Sequence, residues 1–170
     1  MTSAAPFPAA LLARARSIRL LGLDVDGVLT DGRLLFLDSG EGGKSFHVRD
    51  GQGLRLLLDA GIQVAVITGR RSRATEHRMR ELGITELHQG IAEKGSVWSD
   101  VQHRLGCPPE VCAYMGDDLP DLPCLHSAVL PACPADAVAD VQAAAAFVSR
   151  SGGGLGAVRE LCDLILQARC

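Results

Sequence analysis

Short apolar runs alternate along this chain with longer segments in which apolar residues recur every three or four positions. Residues 18–23, 62–67 and 111–115 form the clearest runs, and polar residues or glycine follow each within a few positions. Mostly apolar runs of that length predict strands buried on both faces of a sheet. Residues 84–88, 127–130 and 145–149 extend the series as shorter strands. Between the first two runs, Leu54, Leu57 and Leu58 place residues 50–60 on a helix that Asp50 can cap and Gly61 can stop. Further helices are predicted over residues 72–82, 93–105, 119–125 and 135–141. The glycine-rich stretch 151–156 opens a last helix to about residue 168, and residues 8–17 read as a short leading helix. Strands and helices alternating in this way predict an α/β fold: a doubly wound, Rossmann-like parallel sheet in three α/β/α layers.

One segment departs from the alternation. Residues 33–48 hold two apolar runs around Asp38-Ser39-Gly40-Glu41-Gly42-Gly43-Lys44, which predicts a β-hairpin where the first crossover helix would stand. It reads as a flap beside the end of the first strand. The expected organisation is an N-terminal extension over 1–17 and a single domain over 18–170.

The polar residues that interrupt the pattern fall at one end of the strands. Asp24 and Asp26 follow the first strand, Thr68 and Gly69 the second, and Asp117 and Asp118 the third. Carboxylates two apart in extended chain point to the same side, where their repulsion calls for a cation or a shared proton. Open α/β sheets bind ligands beyond the carboxyl ends of their strands. Converging carboxylates without clustered His or Cys favour a hard cation, above all Mg²⁺. Thr68-Gly69 offers a hydroxyl and backbone amides to an anion, and Lys94 opens the next helix with a positive charge. That set suits phosphoryl transfer, in which positioning and charge neutralisation dominate. The stretch Gly152-x-Gly154-x-x-Ala157 imitates a dinucleotide fingerprint, but the expected acid would fall beyond Cys170. A tight helix start, with amides near the site, is the expected role.

Composition narrows the classes. The net charge is −3 and the pI about 5.9, so no broad basic surface for nucleic acid is expected. No apolar run is long enough to span a membrane. The arginines of the N-terminal stretch follow its apolar residues, the reverse of a signal peptide, so a cytoplasmic protein is expected. The 6 cysteines contain no Cys-x-x-Cys pair and read as small buried hydrophobes.

Asp24-Val25-Asp26-Gly27-Val28-Leu29-Thr30-Asp31-Gly32, Thr68-Gly69-Arg70, Lys94 and Gly116-Asp117-Asp118-Leu119-Pro120-Asp121 resemble the four motifs of the haloacid dehalogenase superfamily of phosphatases. The likeness continues through Phe46 to Gly53, His88-Gln89-Gly90 and Gly152 to Glu160, and points to a cap-less sugar-acid phosphatase branch. It implies Asp24 as the nucleophile that becomes an aspartyl-phosphate and Asp26 as the acid, then base. It also implies Mg²⁺ held by Asp24, the Asp26 carbonyl and Asp117, with Asp118 and Asp121 around it. Thr68, Gly69 and Lys94 would hold the phosphoryl group, and Arg49, Arg70 and Arg78 are the candidates for an anionic sugar acid. The implied substrate is 3-deoxy-D-manno-octulosonate 8-phosphate, for lipopolysaccharide precursor synthesis. A nine-carbon sialic-type acid 9-phosphate is the alternative, which related enzymes pair with an acid where this chain has Arg70. From another class, a receiver-type phosphoacceptor shares the residue types but places its acceptor on a middle strand. Positions 32–67 are too few for an inserted cap, so the resemblance implies closure by neighbours in a homotetramer, with the hairpin at the interface. The chain ends soon after Gln167, so a family tail that reaches a neighbour's site is expected to be short or missing.

Overall fold

Helix α1 (Ala9–Ala15) leads into β1 (Leu20–Leu23), all four residues of which are buried. The computed structural model describes residues 7–170, so the first six positions of the expected N-terminal extension lie outside the described residues. A hairpin of β2 (Phe36–Leu37) and β3 (Gly40–Glu41) follows. The chain then alternates through α2 (Val48–Asp59), β4 (Gln63–Thr68), α3 (Arg73–Leu82), β5 (Glu86–Gln89), α4 (Lys94–Arg104) and β6 (Cys112–Met115). It closes with α5 (Leu122–His126), β7 (Leu130–Cys133), α6 (Ala139–Ala144), β8 (Phe147–Val148) and α7 (Ala157–Gln167). The main sheet is parallel throughout, in the order β5-β4-β1-β6-β7-β8. The chain winds outward from β1 to β5, returns through α4, and winds outward again from β6. That reversal leaves a crevice between the ends of β1 and β6.

Helices cover both faces, as the unbroken apolar strands require. Leu21 and Leu23 pack with Leu54 and Leu57 of α2 and with Val158, Leu161 and Ile165 of α7. Leu20 faces the opposite core, built on Trp98 and Val101 of α4, Tyr114 of β6 and Val141 of α6. Trp98 and Tyr114 meet edge to face with centroids 5.3 Å apart. They occupy the space beside Gly22, where a Cβ would stand 2.4 Å from the Tyr114 ring and 2.7 Å from that of Trp98. Glycine in the middle of β1 is therefore a packing requirement.

Three expectations are corrected at element boundaries. His47, not Asp50, caps α2, its ring accepting from the Arg49 amide. Asp50 lies inside the helix, 1% exposed, and accepts from the Arg159 amide at 2.8 Å, so it caps α7 across the core. The strand expected over 127–130 is β7, three residues further on, because the Ser127 carbonyl is taken by Trp98 Nε1 and Gln102 Nε2 of α4. The helix expected over 135–141 begins at Ala139, since residues 135–138 turn back to bond the Ser151 and Asp117 carbonyls.

The flap is smaller than its sequence suggests. Only two residue pairs form its ladder, and the turn closes at Asp38-Ser39. Residues 42–44 instead run back toward β1, tied by the Gly42 amide to the Leu35 carbonyl. Leu35, Phe36 and Leu37 are 57–63% exposed on it. No cap domain interrupts the described residues.

Candidate active site

The loop that leaves β1 is folded tightly on itself. Leu29 and Thr30 amides both bond the Val25 carbonyl, Thr30 Oγ1 accepts from the Gly32 amide at 3.2 Å, and Gly27 adopts φ +87°. A side chain at Gly27 would also strike Asp117, its Cβ standing 2.0 Å from Oδ2. The glycine-rich stretch before α7 buttresses this loop from behind. Gly154 donates to the Val28 carbonyl at 2.9 Å, and Gly153 donates to Asp136 Oδ1 at 2.9 Å. The Gly154 amide is thus spent on holding the loop, and the Gly153 amide on Asp136.

A cleft of about 440 Å³ opens over the strand ends, lined by Asp24, Asp26, Thr68, Gly69, Arg70, Lys94, Asp117, Asp118 and Asp121 among others. Asp24 is 7% exposed; Oδ1 accepts from the Val25 amide and Oδ2 meets Lys94 Nζ at 2.8 Å. Lys94 also reaches Asp121 Oδ1 at 2.8 Å, so one buried ammonium bridges two buried carboxylates. Burial opposes the charge on Lys94, but Asp24 and Asp121 outweigh it and raise its pKa. Thr68 ends β4 and is buried beside the cleft. The larger cavity in the molecule, lined by Phe7, Phe147, Arg49 and Arg159 among others, lies away from these groups.

Oxygens of Asp24, Asp117 and Asp121 come within 4.8 Å of one another, close enough to share a cation. Their uses differ. Asp121 is fully buried and already accepts from Lys94, from the Tyr114 hydroxyl at 3.1 Å, and from the Asp117 and Asp118 amides. It therefore orients its neighbours. Asp117 Oδ1, by contrast, is buried without a hydrogen-bond partner among the described residues. Burial, then Asp121, pushes Asp24 up to about 6; burial, then Asp24, pushes Asp117 up to about 7. An orphaned oxygen and crowded oxygen-only donors fit a hard divalent cation. Asp118 turns outward and caps the following turn through the Leu119 amide.

These raised values set a pH test. A carboxyl whose folded pKa exceeds its unfolded one stabilises the fold at low pH, and that contribution is lost as pH rises through the folded value. For Asp24 and Asp117 the loss runs from about pH 4 to about pH 7. A bound cation relieves the same repulsion and must displace the same protons. Mg²⁺ is therefore expected to raise Tm more at about pH 8 than at about pH 5.5. Equal shifts by scanning fluorimetry at both values would contradict the cation site.

Of the expected substrate arginines, only Arg70 lines the cleft. Arg49 lines the larger cavity, and Arg78 lies against Gly51 and pairs with Glu81 at 2.8 Å. Two participants were not anticipated. Tyr114 holds Asp121, and Lys44 of the flap pairs with Asp26 Oδ1. A polar ring in an otherwise apolar strand was a signal for Tyr114; no pattern marked Lys44.

No family model matches the chain. Among curated proteins, it is 47% identical over 164 residues to the 3-deoxy-D-manno-octulosonate 8-phosphate phosphatase of Escherichia coli K12, covering 96% of this chain and 87% of that protein. The crystal structure of the Yersinia pestis phosphatase of the same name superimposes with a TM-score of 0.94 at 46% identity, over 96% of this chain and 89% of that one. The Moraxella catarrhalis phosphatase, solved in complex with magnesium ion, phosphate ion and KDO, matches with a TM-score of 0.92 at 38% identity, over 96% and 94%. Identity at this level across nearly the full length sets the receiver-type reading aside. The chain belongs to the 3-deoxy-D-manno-octulosonate 8-phosphate phosphatase family of the haloacid dehalogenase superfamily.

Proposed function

We propose that this protein hydrolyses 3-deoxy-D-manno-octulosonate 8-phosphate to the free sugar acid and phosphate in the cytoplasm, as a step of lipopolysaccharide precursor synthesis. The observation that carries the reading is the buried Asp24–Lys94–Asp121 bridge at the floor of a cleft that also holds Asp26, Thr68 and Asp117. Lys94 keeps Asp24 charged and oriented for attack on phosphorus. As the Asp24–phosphorus bond forms and the ester oxygen leaves, Asp26 passes its proton to that oxygen. Asp26 then takes a proton from water as the water attacks the aspartyl-phosphate, which frees Asp24 and phosphate. Lys94, the Thr68 hydroxyl and the amides after it neutralise the transferring oxygens. Mg²⁺, when bound by Asp24, the Asp26 carbonyl and Asp117, would neutralise charge on the phosphoryl group.

Recognition of the sugar acid by this chain's own cleft falls to Arg70, whose guanidinium suits a carboxylate. The test is phosphate release from a panel of sugar phosphates with and without Mg²⁺. The eight-carbon acid phosphate is expected to show the highest kcat/KM, above nine-carbon acid and hexose phosphates. Equal efficiency with neutral hexose phosphates would remove the substrate assignment.

The assembly we propose is a homotetramer closed over the flap. Four consecutive large apolar residues, Leu34 to Leu37, are exposed there, more than an isolated chain of this size usually shows in one place. Light scattering at micromolar concentration is expected to give the tetramer mass, and Phe36→Asp a smaller species. A monomeric parent protein would refute it.

A further inference from the structure

Lys44 stands in the segment that returns from the flap, yet its side chain is only 4% exposed. Burying an ammonium is unfavourable unless a partner compensates. One partner is Asp26 Oδ1, on the side chain to which the proposed reaction gives the proton transfers. The other oxygen, Oδ2, is buried and has no hydrogen-bond partner among the described residues. Asp26 thus has one oxygen paired with Lys44 and one oxygen shielded from solvent, and the residue lines the cleft beside Asp24. Lys44 does not line that cleft, and the ammonium that meets the nucleophile is Lys94. The two lysines are therefore divided between the two catalytic carboxylates.

We infer that Lys44 is the positioning residue for the leaving-group step: through Oδ1 the flap lysine fixes the Asp26 carboxyl at the cleft for proton transfer to the ester oxygen. A carboxylate turns broadly about its terminal torsion, and anchoring one oxygen removes that freedom. Because Lys44 is carried by the flap, seating the flap and aiming the acid become one event. The flap's own ladder has only two residue pairs, and this ion pair ties its return segment to the site.

The inference rests on the phosphatase reading, and the experiment separates the two. Rapid-quench measurement of the first phosphoryl transfer, with enzyme in excess, compares the parent protein, Lys44→Met and Lys44→Arg. One substrate is the sugar-acid phosphate, whose alkoxide needs a proton to leave. The other is p-nitrophenyl phosphate, whose leaving group departs without one. For Lys44→Met the first is expected to slow by about 10²-fold, the lower end of what a positioned acid contributes, and the second by no more than about 3-fold. Lys44→Arg is expected to recover most of the sugar-phosphate rate, and it carries the comparison if the methionine variant does not fold. Equal slowing with both substrates, or an unchanged sugar-phosphate rate, would overturn the role of Lys44 while leaving the phosphatase reading intact. An inactive parent protein would instead overturn the phosphatase reading.

Discussion

Asp24→Asn is expected to lower turnover by about 10⁴-fold or more while leaving the fold in place, as removal of a covalent nucleophile does. The amide is nearly isosteric with the carboxylate but offers no oxygen able to form the phosphoryl ester. Packing should survive, because Lys94 retains Asp121 as a partner at 2.8 Å and the Val25 amide still finds a side-chain oxygen. Burial and Asp121 already hold the Asp24 carboxyl up at about 6, so neutralising it also relieves repulsion. Tm should therefore stay level or rise, and that rise should be larger without Mg²⁺ than with it. Phosphate-release assays and acid-quenched phosphoprotein counts check the turnover, and scanning fluorimetry with and without Mg²⁺ checks the Tm. A variant that keeps full turnover would end the nucleophile assignment.

Gly153→Ala is expected to damage the site from behind, although residue 153 touches no substrate. A Cβ there would stand 1.9 Å from the Gly27 carbonyl oxygen, 2.4 Å from its carbon and 2.9 Å from the Thr30 carbonyl oxygen. Those are backbone atoms of the loop that carries Asp26, so no flexible side chain can yield. Either the loop moves or α7 withdraws. Overpacking of this kind costs about 1–3 kcal/mol, occasionally more, and a misplacement near 1 Å costs about 10² in rate. Thermal unfolding should fall by several degrees, together with kcat. Gly43→Ala is the matched control, since nothing lies within 4 Å of a Cβ at that position. Equal, small effects for both variants would show that the loop is not braced by the glycine stretch.

The resemblance of the glycine stretch to a nucleotide fingerprint explains why its role was hard to read. Glycine spacing reports where backbones approach closely, and here the approaching body is the protein's own loop instead of a phosphate. Asp50 presented the same difficulty in another form. An acid ahead of an apolar helical pattern reads as that helix's cap, yet its partner, the Arg159 amide, is 109 positions away. Capping chemistry was recognised correctly and assigned to the wrong helix. Asp121 was expected beside the cation, and it lies within the cluster; four donors fix it as the group that orients Lys94 and Asp117.

The sequence by itself determined the alternation of buried strands and helices, and with it the placement of Asp24, Thr68 and Asp117 at one end of a parallel sheet. Periodicity carries that information because burial on both faces demands apolar runs, and parallel strands all end on the same side. It also determined the flap in place of a cap, from the few positions between Asp31 and Thr68. Only the tertiary structure decided which charges meet. Lys44 reaches Asp26 across 18 positions, and Lys94 reaches Asp121 across 27. Ion pairs between distant residues depend on loop paths and crossover directions, which leave no periodic trace in the chain.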